Sequence, residues 1–96
     1  MNRAQILAIL HAHQAEINAF GVRSLKVFGS VARDEARTDS DVDLLVEFSR
    51  PIGLFRFIEL KEYLESILGC KVDLGTPRSL KPRLRERVLK EAINVT

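Results

Sequence analysis

Gly29-Ser30-Val31-Ala32-Arg33 and, after six more residues, Ser40-Asp41-Val42-Asp43-Leu44-Leu45-Val46 decide how this 96-residue chain folds. Aspartate is disfavoured in strands, yet Asp41 and Asp43 open an apolar run that lasts to Phe48. The unbroken Leu44-Leu45-Val46 predicts a strand covered on both faces rather than a half-exposed edge. Residues two apart on a strand share a face, with Cα atoms about 6.6 Å apart. Two carboxylates leaning to one point repel each other, and one takes up a proton unless a cation lies between them. A hard divalent ion with oxygen preference meets that need. Just upstream, Ser24 to Phe28 has strand character and ends at Gly29-Ser30. Val31 to Ala36 can form a short helix, and Arg37 to Ser40 reads as a polar loop.

Helical periods lie on either side. Asn2, with Gln5 three residues on, suits a capping pair. Ile6, Ile9, Leu10, His13, Ile17 and Phe20 then recur at helical spacing up to Gly21, predicting one helix. Leu54, Phe57, Ile58, Tyr63, Leu64, Ile67 and Leu68 predict another, stopped by Gly69. Phe55, Phe57, Ile58 and Tyr63 are expected mostly in the core, on an apolar face broad enough to reach a partner. Lys71 to Leu74 is a third strand closed by Gly75, and Pro77 and Ser79 mark a turn. A last helix is expected from Pro82 through Leu84, Val88, Leu89, Ala92 and Ile93. The order α-β-α-β-α-β-α implies an α/β (α+β) domain over residues 1–96, with a small mixed sheet of three to four strands flanked by helices.

Composition excludes several classes. No apolar run approaches the roughly 18 residues that span a bilayer. The N-terminal residues lack a signal-peptide layout, so the expected setting is cytoplasmic, with no membrane partner. Cys70 is the only cysteine and reads as a small apolar residue. His13 lies on the apolar stripe of the first helix and reads as a core-edge residue, and His11 as exposed. Charge is uneven: residues 71–96 carry seven Lys or Arg against three acids, residues 1–70 eight against ten. A basic end beside an acidic body suggests an anionic ligand or an acidic partner. Arg78, Lys81, Arg83, Arg85 and Arg87 form either a solvated face or a contact surface. No aromatic residue interleaves with them, which disfavours nucleic acid.

Two divalent ions about 3.5–4 Å apart can stabilise both the attacking and the leaving oxygen of an in-line displacement at phosphorus. Two aspartates are few ligands for two ions, and Asp73, an acid in the short apolar strand Val72-Asp73-Leu74, is the candidate third. Gly29 lets backbone approach a phosphate closely, with the N–H groups of the following turn and the Ser30 hydroxyl as donors. Arg33 faces either the same pocket or solvent.

Gly29-Ser30-x-x-Arg33 with Ser40-Asp41-x-Asp43-Leu44-Leu45-Val46 resembles the signature of the polymerase-β-like nucleotidyltransferase superfamily. Along nearly its whole length, through Val72-Asp73-Leu74 and Ser79-Leu80-Lys81-Pro82-Arg83, the chain is similar to the stand-alone minimal nucleotidyltransferases. The resemblance implies that Gly29 and Ser30 bind a triphosphate, that Asp41 and Asp43 ligate two Mg²⁺ ions, and that Asp73 ligates one and acts as general base. It assigns Ser40 to orienting the loop or touching phosphate. It further implies an antitoxin that moves AMP from ATP to a tyrosine of a partner HEPN-type RNase toxin. Asp34 and Thr38 depart from the commonest pattern, where Gly and Pro are frequent. The alternatives are neutralisation by binding alone, or transfer to a small molecule or an RNA end. Relatives of that last kind carry a further acceptor domain, for which 96 residues leave no room, so a homo- or hetero-oligomer is expected.

Overall fold

A computed structural model describes residues 2–33 and 41–95. The chain starts with α1 (Arg3–Ala12) and α2 (Gln14–Ala19). The Asn2 side chain accepts from the Gln5 N–H and the Gln5 side chain accepts from the Asn2 N–H, both at 2.9 Å. The single helix expected over this stretch is broken at His13. There the ring Nδ1 bonds the Ile9 carbonyl at 2.8 Å, the group that a continuing helix would give to the His13 N–H, which turns instead to Leu10. A side chain thus competes with the ladder and shortens it. Gly21 then turns the chain with φ +91°, a value few side chains tolerate.

Four strands follow: β1 (Val22–Phe28), β2 (Val42–Phe48), β3 (Val72–Gly75) and β4 (Ile93–Asn94). Their order is β3-β2-β1-β4. β1 pairs antiparallel with β2 and with β4, and β2 pairs parallel with β3. The parallel pair needs a crossover, supplied by α4 (Leu54–Leu68). Leu25 and Val27 on β1 sit opposite Val46 and Leu44 on β2. With Val42, Val72 and Leu74 they form one buried face, packed on Ile6, Leu10 and Ile17 from the first two helices and on Leu60, Leu64 and Leu68 from α4. Leu45 points the other way and is buried as well, as its apolar neighbours led one to expect. A 3₁₀ turn (Pro77–Ser79) packs on β2 and α5 (Pro82–Glu91) packs on β1.

Two expectations give way. The last helix stops at Glu91, and Ala92 is already extended with ψ 141°. Ile93 and Asn94 join the sheet opposite Val27 and Lys26, and the buried Val95 donates its N–H to the Leu25 carbonyl at 2.8 Å. β-branched Ile93 and Val95 suit a pleated surface better than a helix end. No residue of α5 is fully buried, although Val88 and Leu89 are half-buried, and Arg85 Nε donates to the Pro77 carbonyl at 3.0 Å. Secondly, Phe55 is 82% exposed and Ile58 is exposed, whereas Phe57 and Tyr63 are partly buried against the core. β1 also begins two residues early, with an irregular register between Val22 and Ser24.

Candidate nucleotidyl-transfer site

Asp43 lies near the start of β2, an inner strand of the sheet. On one side it is the register partner of Phe28, the last residue of β1; on the other it is the partner of Asp73 on β3. Residues at matched register on neighbouring parallel strands point the same way, so two carboxyl groups far apart in sequence meet. Asp43 is half-buried and Asp73 is exposed. Burial pushes the Asp43 carboxyl above its usual range, the charges of Asp73 and then Asp41 push it further, and a side-chain hydrogen bond to Asp73 adds to this. Arg33 offsets part of the rise. Asp41, exposed just before β2, acts on Asp43 through its charge. Among the described residues, no three acidic, histidine or cysteine side chains converge as a ready ligand set: of the three acids expected to meet, the register joins Asp43 and Asp73, and Asp41 acts on Asp43 through its charge.

The fit to a cation follows from this donor set. Asp43 and Asp73 bring two oxygen-only side chains to matched register, and the negative charges of Asp73 and Asp41 both act on Asp43. A hard divalent ion placed among such acids neutralises the group. Asp41, Asp43 and Asp73 are the residues that would hold it.

Gly29 begins the four-residue helix α3 (Gly29–Ala32) directly after β1. Its φ of +71° is left-handed, and a Cβ there would overlap the Asp43 carboxylate oxygen. Backbone therefore passes against the acidic pair with no side chain between them. Ser30 is half-buried in the first turn of α3, where N–H groups have no intrahelical acceptor. Arg33 closes the helix with its N–H on the Gly29 carbonyl at 3.2 Å. Its guanidinium bonds Glu91 of α5 at 3.2 Å. Ser40, Asp34, Thr38 and the expected helical end up to Ala36 lie outside the described residues.

Three contacts had no signature in the sequence. The Arg3 guanidinium donates to the Ala32 carbonyl at 3.0 Å, across 29 residues, and so ties α1 to the end of α3. Glu65, from the last turn of α4, accepts from the Val72 N–H at 3.0 Å and fixes the start of β3 next to Asp73. Glu91 holds Arg33. None of these could be found by spacing, because each joins elements whose packing only the fold sets. Arg3→Ala is expected to loosen α3 by about 1 kcal/mol, the scale of one net hydrogen bond. Read as KM for the nucleotide, that is a rise of about fivefold, with kcat changed less; an unchanged KM would show that α3 needs no anchor.

Burial raises the Cys70 thiol above its ordinary value, which fits a quiet, half-buried side chain. Among the described residues, no helix is long and apolar enough to cross a membrane.

A small mixed sheet with paired acids on neighbouring strands at one end, and a glycine-led turn laid against Asp43, is the arrangement of a nucleotidyltransferase. Residues 12–95 match the Nucleotidyltransferase domain family, and the chain belongs to it. Over 92 residues it is 50% identical to the protein adenylyltransferase MntA of Thermococcus cleftensis, covering 95% of this chain and 93% of that one. A solved structure assigned as a minimal nucleotidyltransferase is 46% identical with TM-score 0.84, covering 97% of this chain and 95% of its own. The fold also recurs, at 19% identity and TM-score 0.66, in a complex of the tri-AMPylated Shewanella oneidensis HEPN toxin with MNT antitoxin, over 94% of this chain and 71% of that one.

Proposed function

We propose that this chain moves AMP from ATP to a hydroxyl of a second protein, a tyrosine of a HEPN-type RNase toxin, and so acts as an antitoxin in the cytoplasm. The observation that carries the transfer is the register pairing of Asp43 with Asp73 beside Gly29. The half-identical protein adenylyltransferase supports the adenylyl group and the protein acceptor. The shared fold in the toxin complex supports the partner class.

The division of labour follows from position. Gly29 and Ser30 offer backbone N–H groups and a hydroxyl to the β- and γ-phosphates. Arg33 adds positive charge on the same side. Ser40 is assigned to ordering the segment before Asp41. Asp41, Asp43 and Asp73 would hold two Mg²⁺ ions, which when bound supply Lewis-acid stabilisation of the oxygens around the α-phosphorus. Asp73, the more exposed of the paired acids, receives the proton of the acceptor hydroxyl. The acceptor oxygen bonds to the α-phosphorus, the bond to the bridging oxygen breaks, and pyrophosphate leaves.

The test is transfer of label from α-labelled ATP to a purified HEPN-type partner with Mg²⁺ present. Label on the partner, lost when its tyrosine is replaced by phenylalanine, is the expected result. Label that stays in solution, or a toxin neutralised equally well by a chain carrying Asp41→Asn and Asp43→Asn, would replace transfer with binding alone.

A further inference from the structure

At the far end of the sheet from the acidic pair, a crevice of about 550 Å³ opens between the segment after β2 and the segment after β3. Asp43 and Glu47 are four residues apart along β2, which places the two features roughly 13 Å apart on that strand alone. Arg23, Arg50 and Arg78 line the crevice, and Glu47 is its one acid. Glu47 already pairs with Arg23 at 2.6 Å. Arg50 and Arg78 make no ion pair among the described residues, so the mouth carries two uncompensated positive charges. Pro51 lines the same crevice, and three residues later α4 begins with Leu54 at 70% exposure and Phe55 at 82%. One turn on, Ile58 is also exposed. Leu54, Phe55 and Ile58 are three of the four exposed large apolar side chains among the described residues.

Three large apolar side chains held in water at the start of α4, a few residues along the chain from Arg50 at the crevice mouth, have the composition of an interface centre with a charged rim. Aromatic and arginine side chains supply most of the affinity in such surfaces. We infer that Arg50, Arg78, Leu54, Phe55 and Ile58 form the surface that docks the acceptor protein, and that the docked patch is acidic and apolar. Charge complementarity selects that occupant: a basic patch of the same apolar content would be repelled by Arg50 and Arg78. A nucleic acid would meet the arginines but leave Leu54 and Ile58 without a complementary surface. The location suits the task, because a protein held there leaves the turn at Gly29 open to nucleotide. The surface also explains how so short a chain selects one hydroxyl: the choice is made some distance from the reacting atoms, by a site that binds the acceptor as a folded body.

This inference rests on the protein-acceptor reading above, and the experiment separates the two. Binding of the purified HEPN-type partner is measured by calorimetry, without nucleotide, at two salt concentrations. Transfer from α-labelled ATP is measured in parallel. Wild-type chain is compared with Arg50→Glu/Arg78→Glu, with Phe55→Ser, and with Asp43→Asn. All the docking substitutions are at exposed positions, and an unchanged thermal shift on adding Mg²⁺ and ATP shows that the nucleotide site is intact. The charge reversal is expected to weaken partner binding at least thirtyfold and to reverse its salt dependence, so that added salt no longer weakens the complex. Phe55→Ser is expected to weaken binding about tenfold with little change in that dependence, while Asp43→Asn binds as wild type. KM for the protein acceptor rises in step with the binding loss. Wild-type affinity in both docking variants would overturn the docking surface and leave the transfer reading standing. The expected binding losses without any label transfer would keep the surface and overturn the transfer reading. No binding by the wild-type chain would overturn both.

Discussion

Asp43→Asn is expected to abolish nucleotidyl transfer and, at the same time, to make the metal-free protein more stable at neutral pH. The two effects have one cause. The Asp43 carboxyl is raised by burial first, then by the charges of Asp73 and Asp41. A carboxyl whose folded-state pKa lies above its unfolded value opposes folding once it is charged. Its favourable contribution is present at acid pH and is lost as pH rises through the folded value. Asparagine removes that charge, keeps the shape and can still hydrogen-bond Asp73. The substitution should therefore raise Tm at pH 7 without metal, and do progressively less as pH falls and the native carboxyl takes up its proton. Mg²⁺ should reverse the order by stabilising the native chain and not the variant, since a ligand that binds only the folded state adds to stability by mass action. The loss of transfer should reach about a thousandfold, which corresponds to about 4 kcal/mol of transition-state stabilisation. Scanning calorimetry with and without Mg²⁺, together with label transfer, reads both effects. A variant less stable than the native chain in every condition would show that Asp43 serves the fold rather than a cation.

Gly29→Ala is the second large effect, and it damages both fold and chemistry. The backbone there is left-handed, with φ +71°, a conformation that costs a non-glycine residue about 1–2 kcal/mol. The added methyl would also occupy the position of the Asp43 carboxylate oxygen. Asp43 is fixed between β1 and β3, so the conflict cannot be relieved by moving the strand; the carboxylate must rotate away or α3 must lift. A combined cost of about 2–3 kcal/mol lowers Tm by about 10 °C or more in a domain of this size. Residual transfer is expected at about 1% or below, because either escape separates the phosphate-facing turn from the acids by about an ångström or more. Gly53 has open space around a Cβ and no positive φ, so Gly53→Ala is the control that should leave transfer intact.

The legible part of the molecule is the part under chemical constraint. Asp41, Asp43 and Asp73 stand out because acids are costly in apolar strands, and Gly29 because a glycine between strand and helix lets backbone approach a phosphate. The unbroken Leu44-Leu45-Val46 marked a strand covered on both faces, and all three are buried. What escaped the sequence has specific causes. Ile93 continues a helical period and equally suits a strand; only the free edge of β1 decides between them, and an edge cannot be read from one segment. The break at His13 arises from a ring nitrogen taking a backbone carbonyl, which periodicity does not register. Phe55 and Ile58 lie on a helical apolar stripe, but a stripe does not say whether its own chain covers it. Arg3, Glu65 and Glu91 are ordinary charged residues until packing carries each to a particular carbonyl, N–H or guanidinium.

Mn²⁺ broadening of backbone amide signals in the presence of a non-hydrolysable ATP analogue reads the position of the cation directly. Gly29, Ser30, Val42, Asp43 and Asp73 should lose intensity first, and Asp43→Asn should abolish the effect. Signals that fade first around Arg50 and Arg78, or not at all near Asp43, would contradict a metal-dependent transfer centre built on the acidic pair.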